Sequence, residues 1–157
     1  MSSDQRRLRT LRRADFPYFI SYHTRWNDND GHAHLSNSIC YHLMDTIFTT
    51  WAMENFGIDP KTSPLIAVVV SSWCQIYGPL SFPEVLDVGL RVTKVEKRSF
   101  DYQIGIFKKG RDNPSIVGGT TQVVVDQETK KKPSEIDEEL RAIFGKLQVE
   151  GMSGYKL

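Results

Sequence analysis

Residues 28–37, DNDGHAHLSN, place two aspartates and two histidines within ten positions, directly before a run rich in apolar residues. Carboxylates and imidazoles are the side chains that serve as nucleophiles, general bases and metal ligands. Three roles therefore have to be compared for this segment: a metal site, a catalytic loop, or a turn that caps the following helix.

The spacing around Gly31 excludes a calcium loop. If Gly31 took the sixth position of such a loop, Trp26 and Asn37 would stand at the first and twelfth positions, where calcium requires carboxylates. A transition metal held by His32, His34 and an aspartate is the remaining alternative, but a His-x-His pair in a loop is more often ordinary turn chemistry. We therefore predict no metal and no cofactor.

Asp28, Asp30 and Asn37 also have the side chains that cap helices and stabilise turns. One such residue is enough for a cap, whereas here three stand with two histidines at the N-terminus of a predicted helix. The positive end of the helix dipole attracts negative charge. The pattern therefore favours a functional loop that holds a polarised carbonyl or an anion.

The segments on either side of the loop predict a strand and a long helix. Residues 17–26, PYFISYHTRW, are rich in aromatic and β-branched residues and predict a strand. Residues 38–56 predict a helix, because apolar residues recur every three or four positions until Gly57. Its only charged residues are Asp45 and Glu54, so we expect it to be enclosed on most sides.

The rest of the chain predicts an antiparallel meander and a last helix. Strand-like runs at residues 64–77, 84–96, 99–109 and 115–127 are joined by short polar or turn-forming segments. Ser134 is predicted to cap the last helix, with Asp137 as the capping-box carboxylate. The helix has apolar residues at positions 136, 140, 143, 144 and 147.

These elements predict an α+β fold with one hotdog domain, an antiparallel sheet of about five strands wrapped around a long central helix, plus a C-terminal helix. We place this domain at residues 16–149, after a basic, flexible arm at 1–15 and before a tail at 150–157.

Composition limits the partners of this domain. A formal net charge of +1 gives no general field for nucleic acid or membranes, and the uncharged stretch at residues 62–82 is interrupted by two prolines and a glycine. Cys40 and Cys74 have no paired spacing and are interpreted as free thiols, which indicates a cytoplasmic protein. Five arginines within residues 1–13 leave mitochondrial targeting as the alternative.

The loop and helix start also carry a family resemblance. TRWNDNDGHAHLSNSICYHLMDT resembles the segment Thr-Arg-Trp-x-Asp-x-Asp-x-x-Gly-His-Val-Asn-Asn of the 4-hydroxybenzoyl-CoA thioesterase-like hotdog proteins, without gaps from Arg25 to Asn37. Beyond this segment the resemblance depends on the order of elements over residues 16–133. Ala33 and Ser36 replace the glycine and the first asparagine of the family pattern, and Cys40 stands where tyrosine is frequent.

The resemblance implies that the protein hydrolyses an acyl-CoA thioester and assigns the catalytic residues. Asp30 would attack the thioester or activate water against it, and the backbone N–H of Asn37 would hold the oxyanion. His34 would hold a water or the thioester, or only stabilise the turn. Such hydrolysis needs a nucleophile or base and an oxyanion donor, and a helix N-terminus supplies the donor.

The resemblance also assigns substrate contacts. Asp45 would face the acyl group, with a structural hydrogen bond as the alternative. The turn Lys97, Arg98 and Ser99 would meet the phosphates of CoA, with an ordinary hairpin turn as the alternative. A homodimer, and beyond it a homotetramer, is expected. A non-catalytic acyl-CoA-binding protein and a hotdog hydratase remain the alternative functions.

Overall fold

A computed structural model describes residues 3–57, 59, 61–131 and 135–149 of the chain. Ser134 and the predicted tail at 150–157 lie outside the described residues. The helices and strands are α1 (Ser3–Arg9), β1 (Tyr18–His23), α2 (Asn37–Phe56), β2 (Leu65–Ile76), β3 (Val85–Val95), β4 (Ser99–Lys108), β5 (Ile116–Asp126) and α3 (Glu138–Gly145).

The five strands form a single antiparallel sheet in the order β1-β3-β4-β5-β2. The short connections between β3, β4 and β5 make these strands neighbours, as the sequence predicted. β2 instead crosses to the outside and pairs with β5, so that β1 and β2 are the two edges. The expectation that the short segment between β2 and β3 makes these two strands neighbours is wrong, because β2 pairs with β5 and β3 lies between β1 and β4.

Helix α2 lies against one face of this sheet and confirms the predicted hotdog fold. Its buried side chains follow the three- and four-residue spacing of the sequence: Cys40, Leu43, Met44, Ile47, Phe48, Trp51 and Ala52. Burying each large apolar side chain contributes about 1.5–3 kcal/mol. The helix ends where Gly57 adopts the left-handed conformation, with φ 59°.

The opposite face of α2 is exposed in the single chain, which corrects the expectation that the helix is enclosed on most sides. Asp45, Thr46, Thr49 and Met53 all lie on this exposed face. The single sheet packs against only one face of the helix.

The basic segment before β1 contacts the outer face of the sheet. Leu8 and Leu11 are buried, with 0% and 2% exposure, and they form a second apolar cluster with Phe16, Phe107 and Val117. The expectation of a flexible arm at residues 1–15 did not foresee this contact. The sequence shows the arginines of this segment, but it does not show that the outer face of the sheet has an apolar surface for the leucines to cover.

The last helix, α3, begins one residue after Asp137, whose carboxylate accepts a hydrogen bond from the N–H of Leu140 at 2.8 Å. Asp137 is therefore the N-cap itself and not the third helical residue of a capping box. Phe144 of α3 is buried against Trp51 and Phe100. Among the described residues, no helix combines the length and apolar composition required to cross a bilayer.

Candidate active site

The loop between β1 and α2 is anchored by Asp28. Its side chain is 1% exposed, and Oδ2 accepts hydrogen bonds from the Tyr22 hydroxyl and from the N–H of Arg25, each at 2.7 Å. The carbonyl of Asp28 accepts a hydrogen bond from the N–H of Ser36 at 2.8 Å, directly before α2. Asp28 is therefore fully engaged in holding the loop and is not available for chemistry.

Asp30 lies in a tight turn and its carboxylate is exposed. Oδ1 accepts hydrogen bonds from the backbone N–H groups of His32 at 2.8 Å and His34 at 3.1 Å. These bonds, with that from His34 the larger cause, lower the pKa of the Asp30 carboxyl below its ordinary value. Asp30 is therefore ionised at neutral pH, and no donor among the described residues occupies Oδ2.

Asn37 is the first residue of α2, and Ser36 is its N-cap. The Ser36 hydroxyl contacts the Ser38 hydroxyl at 2.9 Å and does not cap the helix. Within the part of the chain that the structure describes, no acceptor takes the N–H of Asn37, as expected for the first turn of a helix. The N–H of Asn37 is available to a ligand at the positive end of the helix dipole.

Two other contacts attach the loop to the segment between β2 and β3. The N–H of Leu35 donates to the carbonyl of Leu80 at 2.7 Å, and the N–H of Phe82 donates to the side chain of Asn29 at 3.1 Å. The loop is thereby fixed at the end of the sheet where β2 finishes. Sequence reasoning had assigned no role to Asn29.

A cavity of about 440 Å³ lies between the exposed face of α2 and β2. Its lining residues are Asp45, Phe48, Thr49, Ala52, Leu65, Ile66, Ala67, Val69 and Gln122. Asp45 is thus one of the residues that line a cavity, and its contact with an acyl group stays a prediction. Sequence reasoning missed Gln122; the signal was a glutamine within the otherwise apolar end of β5, QVVV.

The turn Lys97, Arg98 and Ser99 lies at the other end of the sheet. Ser99 pairs with Val123, which pairs with Val68, eight residues before the end of β2 at Ile76. At about 3.4 Å per residue, the turn is about 27 Å along the sheet from the strand end beside the loop. One chain therefore brings Asp30, His34 and Asn37 together but leaves this turn far from them.

Lys97 and Ser99 of the turn make local contacts. The ammonium of Lys97 forms an ion pair with Glu135 at 2.6 Å, and the hydroxyl of Ser99 donates to Glu96 at 3.2 Å. The hydrogen bond from Lys97 lowers the pKa of the Glu135 carboxyl. Both members of the ion pair are more than half exposed, so that the pair contributes little to stability.

His32 and His34 are exposed in the turn. Across the described ranges, no group of three His, Cys, Asp or Glu side chains is arranged to hold a metal ion. The backbone N–H groups of these histidines donate to Oδ1 of Asp30, so that both histidines belong to the same turn as this carboxylate.

Ala33, which replaces the glycine of the family pattern, has φ 59°, in the left-handed region where an alanine is strained. We expect Ala33→Gly to raise the free energy of unfolding by about 1 kcal/mol, because glycine adopts this conformation without the steric penalty. Ala14→Gly is the matched control, because Ala14 lies in a 3-10 turn with negative φ. Glycine gives no relief of strain there, so this variant should be less stable than the wild type. Urea unfolding of both variants measures the difference. Equal destabilisation at the two positions would contradict the strain at Ala33.

Comparison with known proteins shows the family to which the chain belongs. The model of the thioesterase superfamily matches residues 32–115, more than half of the chain, and begins two positions after Asp30. The solved structure of the PA5185 protein from Pseudomonas aeruginosa strain PAO1 has 31% sequence identity and a TM-score of 0.83, over 89% of this chain and 97% of that chain. No curated protein sequence matches the chain.

Two more distant structures are similar in fold. Slr0204 from Synechocystis, a 1,4-dihydroxy-2-naphthoyl-CoA thioesterase, has 12% identity and a TM-score of 0.71 over 82% of this chain and 95% of that chain. BH1999, a gentisyl-coenzyme A thioesterase, has 18% identity and a TM-score of 0.70 over 81% of this chain and 99% of that chain. The family match and the 31% relative together show that the chain belongs to the thioesterase superfamily.

Proposed function

We propose that the protein is an acyl-CoA thioesterase of the 4-hydroxybenzoyl-CoA thioesterase-like type. The observation that carries the proposal is the ionised carboxylate of Asp30 beside the start of α2, in a chain of the thioesterase superfamily. Slr0204 and BH1999 are thioesterases of CoA esters, which supports CoA thioesters as the substrate class.

The reaction needs an attacking group and an oxyanion donor, and we assign these to Asp30 and Asn37. Asp30 attacks the thioester carbonyl through its free Oδ2, or uses that oxygen to take a proton from the attacking water. The carbonyl oxygen becomes an oxyanion, to which the N–H of Asn37 donates, and CoA leaves as its thiolate. Where Asp30 itself attacks, the acyl group is left on its carboxylate as a mixed anhydride, which water then cleaves to release the acid and restore Asp30. One oxyanion-hole donor typically contributes about 2.7–4 kcal/mol to the stability of the transition state.

His34 has a positioning role in this proposal. Its backbone N–H holds Oδ1 of Asp30 at 3.1 Å, which keeps the carboxylate ionised and directs Oδ2 away from the turn. The acyl group would extend along α2 into the cavity that Asp45 lines. At about 1.5 Å per residue, Asp45 is about 12 Å along the helix from Asn37.

We expect Asp30→Asn to lower kcat/KM for acyl-CoA at least about a hundredfold, because the amide is neither a nucleophile nor a base. Asp15→Asn is the matched control and should leave kcat/KM unchanged. Asp15 also accepts a hydrogen bond from a backbone N–H in a turn, at 2.7 Å, but it lies before the start of β1, whereas the loop follows the end of β1. The assay releases CoA from short, medium, long and aromatic acyl-CoAs into a thiol-trapping dye. Failure of the wild type to hydrolyse any of them would favour a non-catalytic acyl-CoA-binding protein.

We also propose a homodimer that forms through β2. This edge strand has 12 residues, and the side chains of Leu65, Val68, Val69, Val70 and Ile76 are between 37% and 56% exposed. A long, exposed, apolar edge pairs readily with another strand. A second copy added at this edge would also cover the open, sparsely charged face of α2 and close the cavity between them.

Val68→Lys is expected to shift the protein from dimer to monomer, because it places a charge in the proposed interface. The side chain of Val68 is 41% exposed in one chain and is absent from the cavity lining, so the lysine fits the monomer. Ser21→Lys, on the exposed side of the other edge strand, should remain a dimer. Sedimentation velocity at micromolar concentration measures both. A monomeric wild type, or two dimeric variants, would contradict the interface.

In this dimer the turn at Lys97, Arg98 and Ser99 would approach the site of the other subunit. An isologous antiparallel pairing sets the start of one β2 beside the end of the other. The turn lies at the end of the sheet where β2 starts, and Asp30 lies at the end where β2 finishes. The turn and the loop of one chain are about 27 Å apart, but in the dimer the turn can contact the phosphates of CoA bound at the partner's Asp30.

We expect Arg98→Ala to raise KM for acyl-CoA on the order of tenfold at low salt, with a smaller change in kcat, because a remote phosphate contact is present in both ground and transition states. Added salt should shrink the effect, since it screens exposed charges. Lys146→Ala, which removes an exposed charge at the C-terminal end of α3, should leave KM unchanged. Steady-state kinetics at two ionic strengths provide the comparison. Equal KM values for Arg98→Ala and the wild type would exclude the turn.

A further inference from the structure

Two free cysteines that are far apart in the sequence come together between α2 and β2. Cys40 lies in the first turn of α2 and is 0% exposed, and Cys74 lies near the end of β2 and is half-buried. The two thiols are within hydrogen-bonding distance of one another. The structure therefore contains a pair of thiols that the proposed hydrolysis does not use.

The packing of α2 on the sheet holds this pair in place. Cys74 pairs with Gly118 of β5. The side chain of Met44, one turn after Cys40 on α2, occupies the space that a side chain at position 118 would need. Met44 Sδ also contacts the hydroxyl of Thr120 at 3.6 Å. Met44 therefore keeps α2 close to β5, and Cys40 packs in the same apolar cluster as Cys74.

The surroundings make Cys40 the more reactive of the two thiols. The hydrogen bond from Cys74 lowers the pKa of the Cys40 thiol, against the opposing effect of burial. The same hydrogen bond and burial raise the pKa of the Cys74 thiol. The first turn of a helix also stabilises a thiolate. When a thiol lies directly beside a thiolate, oxidation of the first sulfur leads to a disulfide with the second.

The exposure of the two cysteines limits the oxidant to a small molecule. Cys74 is only partly buried and gives the pair a route to solvent. Cys40 has no exposed surface of its own, so that a bulky disulfide reagent or another protein does not reach it directly. Hydrogen peroxide is close to water in size and is suited to such a site.

We propose that Cys40 and Cys74 are a site of reversible oxidation, at which a peroxide joins the two sulfurs in a disulfide bond. The Cys40 thiolate attacks one oxygen of hydrogen peroxide, the O–O bond breaks, and hydroxide leaves while Cys40 becomes a sulfenic acid. The sulfur of Cys74 then attacks the sulfur of Cys40, and the S–O bond breaks. The two thiols together lose two hydrogens, and the peroxide becomes two waters. A dithiol reductant reverses the reaction by thiol–disulfide exchange.

The disulfide would also change the proposed thioesterase site, and this consequence rests on the proposed function. A disulfide holds its sulfurs about 2 Å apart, well inside any non-bonded contact, so the first turn of α2 and the end of β2 must move toward one another. Asn37 is in the same turn as Cys40, so its N–H moves with that turn. The loop that carries Asp30 is held to β1 through Asp28. The distance between the attacking carboxylate and the oxyanion donor would therefore change.

Mass spectrometry tests the oxidation site directly. The protein is treated with hydrogen peroxide, its remaining thiols are alkylated, and the peptides that contain Cys40 and Cys74 are analysed. The wild type should give these two peptides linked within one chain, and dithiothreitol should release both. In Cys74→Ala no link can form, and dimedone should trap Cys40 as the sulfenic acid. Alkylated cysteines in the peroxide-treated wild type, or links only between two chains, would overturn the proposal.

Met44→Leu is the matched control, because Met44 is an oxidisable sulfur beside the pair and leucine nearly keeps its apolar volume. This variant should form the same link between Cys40 and Cys74 as the wild type. Loss of the link in Met44→Leu, with the fold retained by circular dichroism, would contradict a disulfide that depends on the two cysteines alone.

Oxidation of the wild type is expected to lower kcat/KM for acyl-CoA roughly tenfold or more, since a displacement of about 1 Å at a reacting centre costs on the order of a hundredfold. Dithiothreitol should restore kcat/KM, which it would not do if the loss came from methionine sulfoxide. Cys40→Ala should have the same kcat/KM before and after peroxide. A linked wild type with unchanged kcat/KM would overturn the effect on the site.

The two measurements keep this inference separate from the proposed function. If the wild type hydrolyses no acyl-CoA, the thioesterase proposal fails, and the linked peptides still decide whether Cys40 and Cys74 are an oxidation site. If the wild type hydrolyses acyl-CoA but gives no linked peptides after peroxide, the oxidation site fails and the thioesterase proposal stands.

Discussion

The buried carboxylate of Asp28 connects the strand, the loop and the helix on which the site depends. The Tyr22 hydroxyl donates to this carboxylate from β1, and the N–H of Arg25 donates to it from the chain just after β1. The backbone carbonyl of Asp28 accepts a hydrogen bond from the N–H of Ser36 at the start of α2. A buried carboxylate is stable only when such partners are present. The position of Asp30 relative to the helix N-terminus follows from this arrangement, since Asp30 lies between these two anchored points.

The sequence predicted the elements well because each has a strong local signal. The apolar spacing of α2 and the turn residues between strands place every strand of the sheet and α2 within three residues of their observed ends, most within one. The loop was identified as a site from Asp30, His34 and Asn37, and the structure does bring these together. The position at which the family pattern has glycine was also informative, since Ala33 adopts a positive φ there, a conformation that favours glycine.

Other features depended on contacts between distant segments. Composition and spacing do not separate Asp28 from Asp30, whereas the structure does: Asp28 is buried and bonded to Tyr22, and the carboxylate of Asp30 is exposed. Gln122 could be noticed as a polar residue in an apolar run, but its burial and its hydrogen bond to Tyr102 depend on the pairing of β5 with β4. The distance from Asp30 to the turn at Lys97 depends on strand register, which the lengths of the connections do not determine.

The contact of Leu8 and Leu11 with Phe107 and Val117 has a consequence for higher assembly. Face-to-face stacking of two sheets requires an uncovered apolar face on each, about 10 Å apart. Here α2 covers part of one face, and the segment before β1 covers the region around Phe16 on the other. Two such sheets cannot stack at that region unless the N-terminal leucines are displaced, because Leu8 and Leu11 already cover it.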